Sequence, residues 1–198
     1  HYISWVEDFD EDPEEWNADS LGAREIYEVS NADDLSWRLP LGETALDGRF
    51  PFLGSNRDEM LINTNGWLQF DDTNTLPCNY VWRYIDGYNE TFPVYSCFQW
   101  WYPKDWYGQI PANFNTTYYG GIAVYLADLF PAETYPVASV KWSNTTDKDG
   151  IMVHWLHNPF WAPIQSDITV HSRLLKDGKI SLYWESIDID KEECKKYQ

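Results

Sequence analysis

Positive charge is what this chain has least of. Lys and Arg number 14 against 32 Asp and Glu, and the formal net charge is −18. A phosphate backbone or an anionic membrane surface is repelled by such a chain, which excludes nucleic acid and acidic lipid as natural partners. Long apolar runs are also lacking. No stretch approaches the roughly 18–20 residues needed to span a bilayer. The chain opens on His1-Tyr2 rather than on a charged and apolar leader. That opening reads as a trimmed fragment, attached to a membrane only through a segment outside it. Catalytic signatures are missing too: there is no Gly-x-Ser-x-Gly elbow and no phosphate-cradling glycine loop. Paired carboxylates for glycoside hydrolysis leave no sequence signature, because their spacing belongs to the fold. The expectation is a non-enzyme with no catalytic residue, no metal and no cofactor.

Cysteine is scarce, at three residues. Cys78 and Cys97 enclose 18 residues, and a disulfide there would contribute roughly 3 kcal/mol in the chain-entropy model. Cys194 is then left over, which in a secreted protein flags a partner outside the fragment or a free thiol. Three Asn-x-Thr sequons, at Asn89, Asn115 and Asn144, are candidate glycosylation sites. Sequons on polar loops beside two spaced cysteines point to an extracellular glycoprotein, secreted or the ectodomain of a membrane protein.

What the chain does have is apolar and aromatic material, 43% and 18% of its 198 residues. That is enough for one well-packed domain and short for two. The acid is concentrated at the start. Residues 1–34 carry twelve carboxylates against Arg24 alone, with Trp5, Phe9 and Trp16 among them. This acidic arm is either a flexible tail or a segment that docks on its own domain or on a basic partner. Asp19 or Ser20 is positioned to cap a short helix through Tyr27.

From Asp34 onward the pattern is β. Leu35 to Leu39 alternates and stops at Pro40. Phe50-Pro51-Phe52-Leu53-Gly54 is an apolar run ended by a glycine. Met60, Ile62, Trp67, Leu68 and Phe70 flank Asn63-Thr64-Asn65-Gly66, where Asn-Gly predicts a type I′ hairpin turn with φ > 0 at both residues. Phe50, Phe52, Trp67 and Phe70 are expected core. Further strands are expected over 121–127, 135–142, 151–156 and 168–175, and Asp177-Gly178 turns the last into 179–184. Short strands with turn signals and scarcely a helix predict an all-β fold, a two-sheet antiparallel β-sandwich.

Residues 77–119 stand apart, with 15 aromatics in 43 residues and no sustained strand or helix period. They read as a long, disulfide-pinned aromatic insertion at a sheet edge. Trp100, Trp101, Trp106 and Tyr107 are the partner-binding candidates, because Trp and Tyr bury much area at small entropy cost. The same rings stack on sugars, or pack as a mini-core around the Cys78–Cys97 bridge.

Metal ligands are poorly supported. His154 and His157 have a spacing that converges on a helix, but their segment reads as strand. His1 and His171 add nothing specific. Asp71, Asp72 and Asn74, or Asp188 and Asp190, could offer oxygens to Ca²⁺, but without the loop an EF-hand requires.

The ordered set of signals resembles nidogen-like extracellular domains. These carry an FPF-x-G strand and an NTNG hairpin, here Phe50 to Gly54 and Asn63 to Phe70. The run Ile122 to Asp128 and the strand Met152 to Trp155 match later elements. The closing hairpin, Leu174 to Tyr183, is similar to that of plexin-domain-containing proteins, single-pass cell-surface proteins in which a cysteine-rich module follows. Cys194 would suit that module's first cysteine. The resemblance covers residues 35–187. It departs from the family in the length of the 77–119 insertion and in the acidic arm. It implies a linker or following module at 188–198. The implied function is adhesion or receptor–ligand binding to a matrix or cell-surface protein, which the acidic arm predicts to carry a basic patch. A carbohydrate-binding module using the aromatic insertion is the alternative.

Overall fold

The structure, a computed structural model, describes residues 13–26, 30, 36–70, 79–84, 91–96, 121–125, 129, 138–159 and 166–188, of which 13, 79–84, 91–96 and 123 as backbone only. The described residues are almost all strand. The exceptions are single 3₁₀ turns at Pro13–Trp16 and Leu41–Glu43, with hairpin turns and connections. The strands are β1 (Arg24–Glu25), β2 (Ser36–Pro40), β3 (Phe50–Phe52), β4 (Ser55–Arg57), β5 (Glu59–Asn63), β6 (Trp67–Gln69), β7 (Asn79–Tyr84), β8 (Thr91–Ser96), β9 (Gly121–Ala123), β10 (Ser139–Asn144), β11 (Gly150–Asn158), β12 (Asp167–Leu175) and β13 (Ile180–Asp188).

They form a five-stranded sheet, β1-β10-β11-β12-β13, a six-stranded sheet, β7-β8-β2-β5-β6-β9, and a separate two-stranded sheet, β3-β4. Pairing is antiparallel throughout. Strand alternation sends Ile151, Val153 and Trp155 of β11 to one face and Met152 and His154 to the other. The first face meets Val140, Val170 and Leu174 from its own sheet and Leu39, Met60, Ile62 and Leu68 from the six-stranded sheet, all in one buried cluster. Full burial of such a side chain contributes about 1.5–3 kcal/mol. The fold is all-β and sandwich-like, as the composition and turn pattern predict.

The Asn-Gly segment does make a hairpin, joining β5 to β6 with Asn63 opposite Trp67. Its turn, however, is not the expected one. Positive φ occurs at Gly66 (72°) but not at Asn65. The loop therefore has three residues, the arrangement that ends on a left-handed glycine. The reason is burial. Thr64 and Asn65 are completely inaccessible to solvent, so the turn must use its polar groups internally. Asn63 Oδ1 accepts the Asn65 N–H at 2.8 Å, and Asn65 Oδ1 accepts the Leu129 N–H at 2.8 Å. Gly66 O accepts the N–H groups of Val124 and Tyr125. Trp155 Nε1, from the opposite sheet, donates to Asn63 O at 2.8 Å. The pair of positive φ values expected here lies one hairpin earlier, at Leu53 (48°) and Gly54 (80°) between β3 and β4. Phe50, Phe52 and Phe70 pack ring on ring beside it, with centroids 4.5–6.3 Å apart. Phe50 and Phe70 are buried, whereas Phe52 and Trp67 are half-buried.

Two other expectations are corrected. No helix starts at Asp19 or Ser20. Asn17 Oδ1 takes both their N–H groups at 3.0 Å and closes a turn, and Arg24–Glu25 then extend to pair with Trp142 and Lys141. The 77–119 segment contains a strand pair, β7–β8, at the edge of the six-stranded sheet. Its strand period is hidden because aromatic or β-branched residues, such as Tyr80-Val81-Trp82 and Val94-Tyr95, fill consecutive positions and so occupy both faces.

A Cβ on Gly66 would lie 2.5 Å from the Tyr125 carbonyl oxygen, whereas one on Gly54 would meet nothing within 4 Å. Both glycines have positive φ. Gly54→Ala should therefore cost about 1 kcal/mol, from backbone conformation alone, and Gly66→Ala about 2–4 kcal/mol, because overpacking is added. Urea unfolding of the two variants measures the difference directly.

Candidate functional site

The face of the five-stranded sheet turned away from the core is not a solvated surface. Met152, His154 and His171 on it are buried, at 0–1% exposure. Two register shifts shape this face. One lies in β11 between Trp155 and Asn158, with His157 in the left-handed region at φ 53°. The other lies across β12–β13, where Thr169 faces Ser186 but Val170 faces Trp184, leaving Glu185 as the extra residue. Bulges re-aim side chains. Here the second one delivers the Glu185 carboxylate to His171 Nε2 at 3.0 Å.

His171 is paired across the sheet with His154. Their Nδ1 atoms are 2.8 Å apart, and His154 Nε2 is 3.3 Å from Ser143 Oγ. The network assigns the hydrogens. The Glu185 carboxylate accepts, so His171 carries its proton on Nε2 and offers Nδ1 as an acceptor. His154 then donates from Nδ1 and accepts at Nε2 from the Ser143 hydroxyl. Ser143, His154, His171 and Glu185 thus form one row across four neighbouring strands, every donor pointing the same way. Its Ser143 end is buried, while the Glu185 side chain is 55% exposed.

Burial pushes the His154 imidazole down to about 3, with the positive charge available to His171 the next cause. His171 is lowered as well, chiefly by burial, against the upward pull of Glu185. Both rings are therefore neutral at neutral pH. One extra proton fits the row if it sits on His154 Nε2. A second cannot, because two N–H groups would then face each other across 2.8 Å.

The lid on this row is the N-terminal segment. Trp16, 1% exposed, lies with its ring centroid 5.4 Å from Tyr183 and 6.2 Å from His171. The Arg173 guanidinium lies 4.9 Å from the same ring, and Arg173 also reaches Glu15 at 3.4 Å. Asp19 pairs with Lys141 at 3.3 Å. Residues 13–26 of the acidic arm are thus docked on their own domain, anchored by an indole and guided by charges that contribute little by themselves.

Several sequence candidates are placed elsewhere or not placed. His157 is exposed and pairs with Asp167, away from His154, so these two are not brought together. His171, to which the sequence assigned nothing, stands at the centre. Only the register of β11 on β12 reveals it, and the β11 bulge hides that register from sequence. Asp188 ends β13 opposite Asp167. Among the described residues no three His, Cys, Asp or Glu side chains gather as a metal site would require. Asn144 is half-buried at the end of β10, its Oδ1 accepting the Ala45 N–H at 2.8 Å. Cys78, Cys97, Cys194, Asn89, Asn115, Trp100, Trp101, Trp106, Tyr107, Asp71, Asp72, Asn74, Asp190 and His1 lie outside the described residues. No protein-family profile, no curated protein and no solved structure matches the chain.

Because the folded histidine values are depressed, their stabilising contribution is complete above the unfolded value of about 6.5 and is lost as pH falls toward the folded one. Unfolding free energy should decline between pH 6.5 and 5 by up to about 1.4 kcal/mol per pH unit per histidine. In His154→Gln that slope should be visibly shallower in the same window, where carboxylates still contribute little. Trp16→Ala should cost about 3–5 kcal/mol. It should also raise the His171 titration midpoint followed by NMR, as water reaches the ring.

Proposed function

We propose that this is an extracellular recognition domain of nidogen-like type, closest in pattern to plexin-domain-containing cell-surface proteins. It belongs to a secreted or single-pass membrane protein and mediates adhesion or receptor–ligand binding. Its partner is a matrix or cell-surface protein presenting a basic patch. The observation that carries this is the role of the residues behind the resemblance. Asn63 to Gly66 and Phe50 are built into the core, where polar groups of the turn are bonded internally. Residues placed in this way serve a scaffold. What the scaffold displays is the acidic charge and the aromatic 77–119 segment, where Trp100, Trp101, Trp106 and Tyr107 are the contact residues. The described chemistry favours binding over catalysis, since an imidazole held near 3 is a weak base for any neutral-pH reaction. A disulfide between Cys78 and Cys97 and glycans at Asn89, Asn115 and Asn144 complete the proposal.

The test is a binding screen of the glycosylated domain against an extracellular-protein library. Trp16 docks on the sheet, so the arm is shortened by deleting residues 1–12 only, which keeps Trp16. The expected outcome is a protein partner whose affinity falls with added salt and with that deletion, and drops at least tenfold in Trp100→Ala or Trp106→Ala. Salt-independent binding that survives all three changes would sink the assignment of these surfaces.

A further inference from the structure

A second feature lies at the opposite edge of the five-stranded sheet from β13, where the docked N-terminal segment passes the turn that follows β10. Residues 20–24 and 142–148 enclose a surface pocket of ≈ 380 Å³. That is at the small end of ligand sites, with room for about one sugar ring and a substituent. Its lining is unusual for so acidic a chain. Arg24 and Lys148 both contribute, alongside Ser20, Ser143, Thr146 and Trp142.

Both Arg24 and Lys148 are exposed. Among the described residues no carboxylate pairs with either, although most other basic groups here are engaged, such as Arg38 with Glu59, Lys141 with Asp19 and Lys176 with Asp47. Arg24 is instead laid over the Trp142 indole, its guanidinium carbon 5.5 Å from the ring centre, which holds the planar fork in one attitude. Lys148 is set at the other wall by a left-handed backbone, φ 59°, and donates its N–H to Thr145 O at 3.0 Å.

Three acids near the lining have partners of their own. Asp19 holds Lys141, Asp149 Oδ1 accepts the Thr145 hydroxyl at 2.9 Å, and Asp147 Oδ1 accepts the Asp149 N–H. Glu25, Asp147 and Asp149 adjoin the two cations in sequence, while negative charge beyond about 8 Å is screened at physiological salt. Around them stand hydroxyls that suit a polyol. Ser20 and Thr146 are exposed, with hydroxyls that can donate or accept.

We propose that this pocket binds an acidic sugar, a pyranose bearing a carboxylate or sulfate. Arg24 clamps the anionic group in bidentate fashion, Lys148 adds a point charge, and the Ser20 and Thr146 hydroxyls receive the ring hydroxyls.

The experiment is titration of the whole chain by heteronuclear NMR with N-acetylneuraminic acid, N-acetylglucosamine 6-sulfate, neutral N-acetylglucosamine and inorganic sulfate. The protein is made without N-linked glycans, so that Asn144 keeps its free carboxamide beside the pocket. The acidic sugars should shift the amides of residues 20–24 and 142–148 saturably, at least tenfold more tightly than the neutral sugar or sulfate alone. Arg24→Gln and Lys148→Gln should each weaken binding at least tenfold, with thermal midpoints near that of the parent. Lys179→Gln, an exposed lysine outside the pocket, should change nothing. Equal affinity for the neutral sugar, shifts centred elsewhere, or binding that survives Arg24→Gln with Lys148→Gln would overturn the proposal. Sulfate binding as well as the acidic sugars would reduce the site to a bare anion site and overturn the sugar part. None of these outcomes bears on capture of a protein partner.

Discussion

The fold depends on keeping a polar turn inside an apolar core. The segment Asn63 to Gly66 brings backbone amides, carbonyls and two carboxamides to a place water does not reach. Each unsatisfied group there would cost about 1–3 kcal/mol, enough in total to cancel the stability of a domain this size. The solution is a set of bonds from distant parts of the chain. Ser36 Oγ meets Asn63 Nδ2, the 124–125 and 129 amides reach the turn, and the Trp155 indole crosses from the other sheet. These contacts join segments up to 92 residues apart, so the turn forms completely only when both sheets are in place. A motif that looks like a local hairpin signal is thus a long-range one.

That explains what could be read from the sequence and what could not. Strand existence was legible where apolar and polar residues alternate, as in β2, β12 and β13, because the apolar positions of each share one face. It was illegible in β7 and β8, where aromatic residues saturate both faces and periodicity vanishes. The hairpin at Asn65-Gly66 was legible, but its turn type was not. Propensity assumes a solvated turn, and this one answers to the packing around it. The start of the chain misled for a related reason. Asn17 caps a single turn instead, Gly22 ends it in the left-handed region at φ 61°, and β10 offers Arg24–Glu25 an edge to pair with.

The buried row on the outer face was beyond sequence reading. Ser143, His154, His171 and Glu185 are separated by 11, 17 and 14 positions, and nothing in those intervals suggests contact. His154 and His171 meet in the regular register of β11 on β12, and Glu185, the extra residue of the β13 bulge, reaches His171 from the far side. The docked segment then supplies what an open sheet face lacks, an aromatic cover. The negative charge of residues 13–26 is partly spent in holding that cover down, through Glu15 on Arg173 and Asp19 on Lys141.

The single direction of donation along the row carries a message from one edge of the sheet toward the other. His171 Nε2 already holds a hydrogen, and the short gap between the two Nδ1 atoms has room for only one. Any further proton on the imidazole pair must therefore finish on His154 Nε2, and the Ser143 hydroxyl must swing round from giving a hydrogen to receiving one. No strand moves and no heavy atom need shift. The protonation state of the pair is recorded at Ser143 as the orientation of one buried hydroxyl, at the end of the row farthest from Glu185.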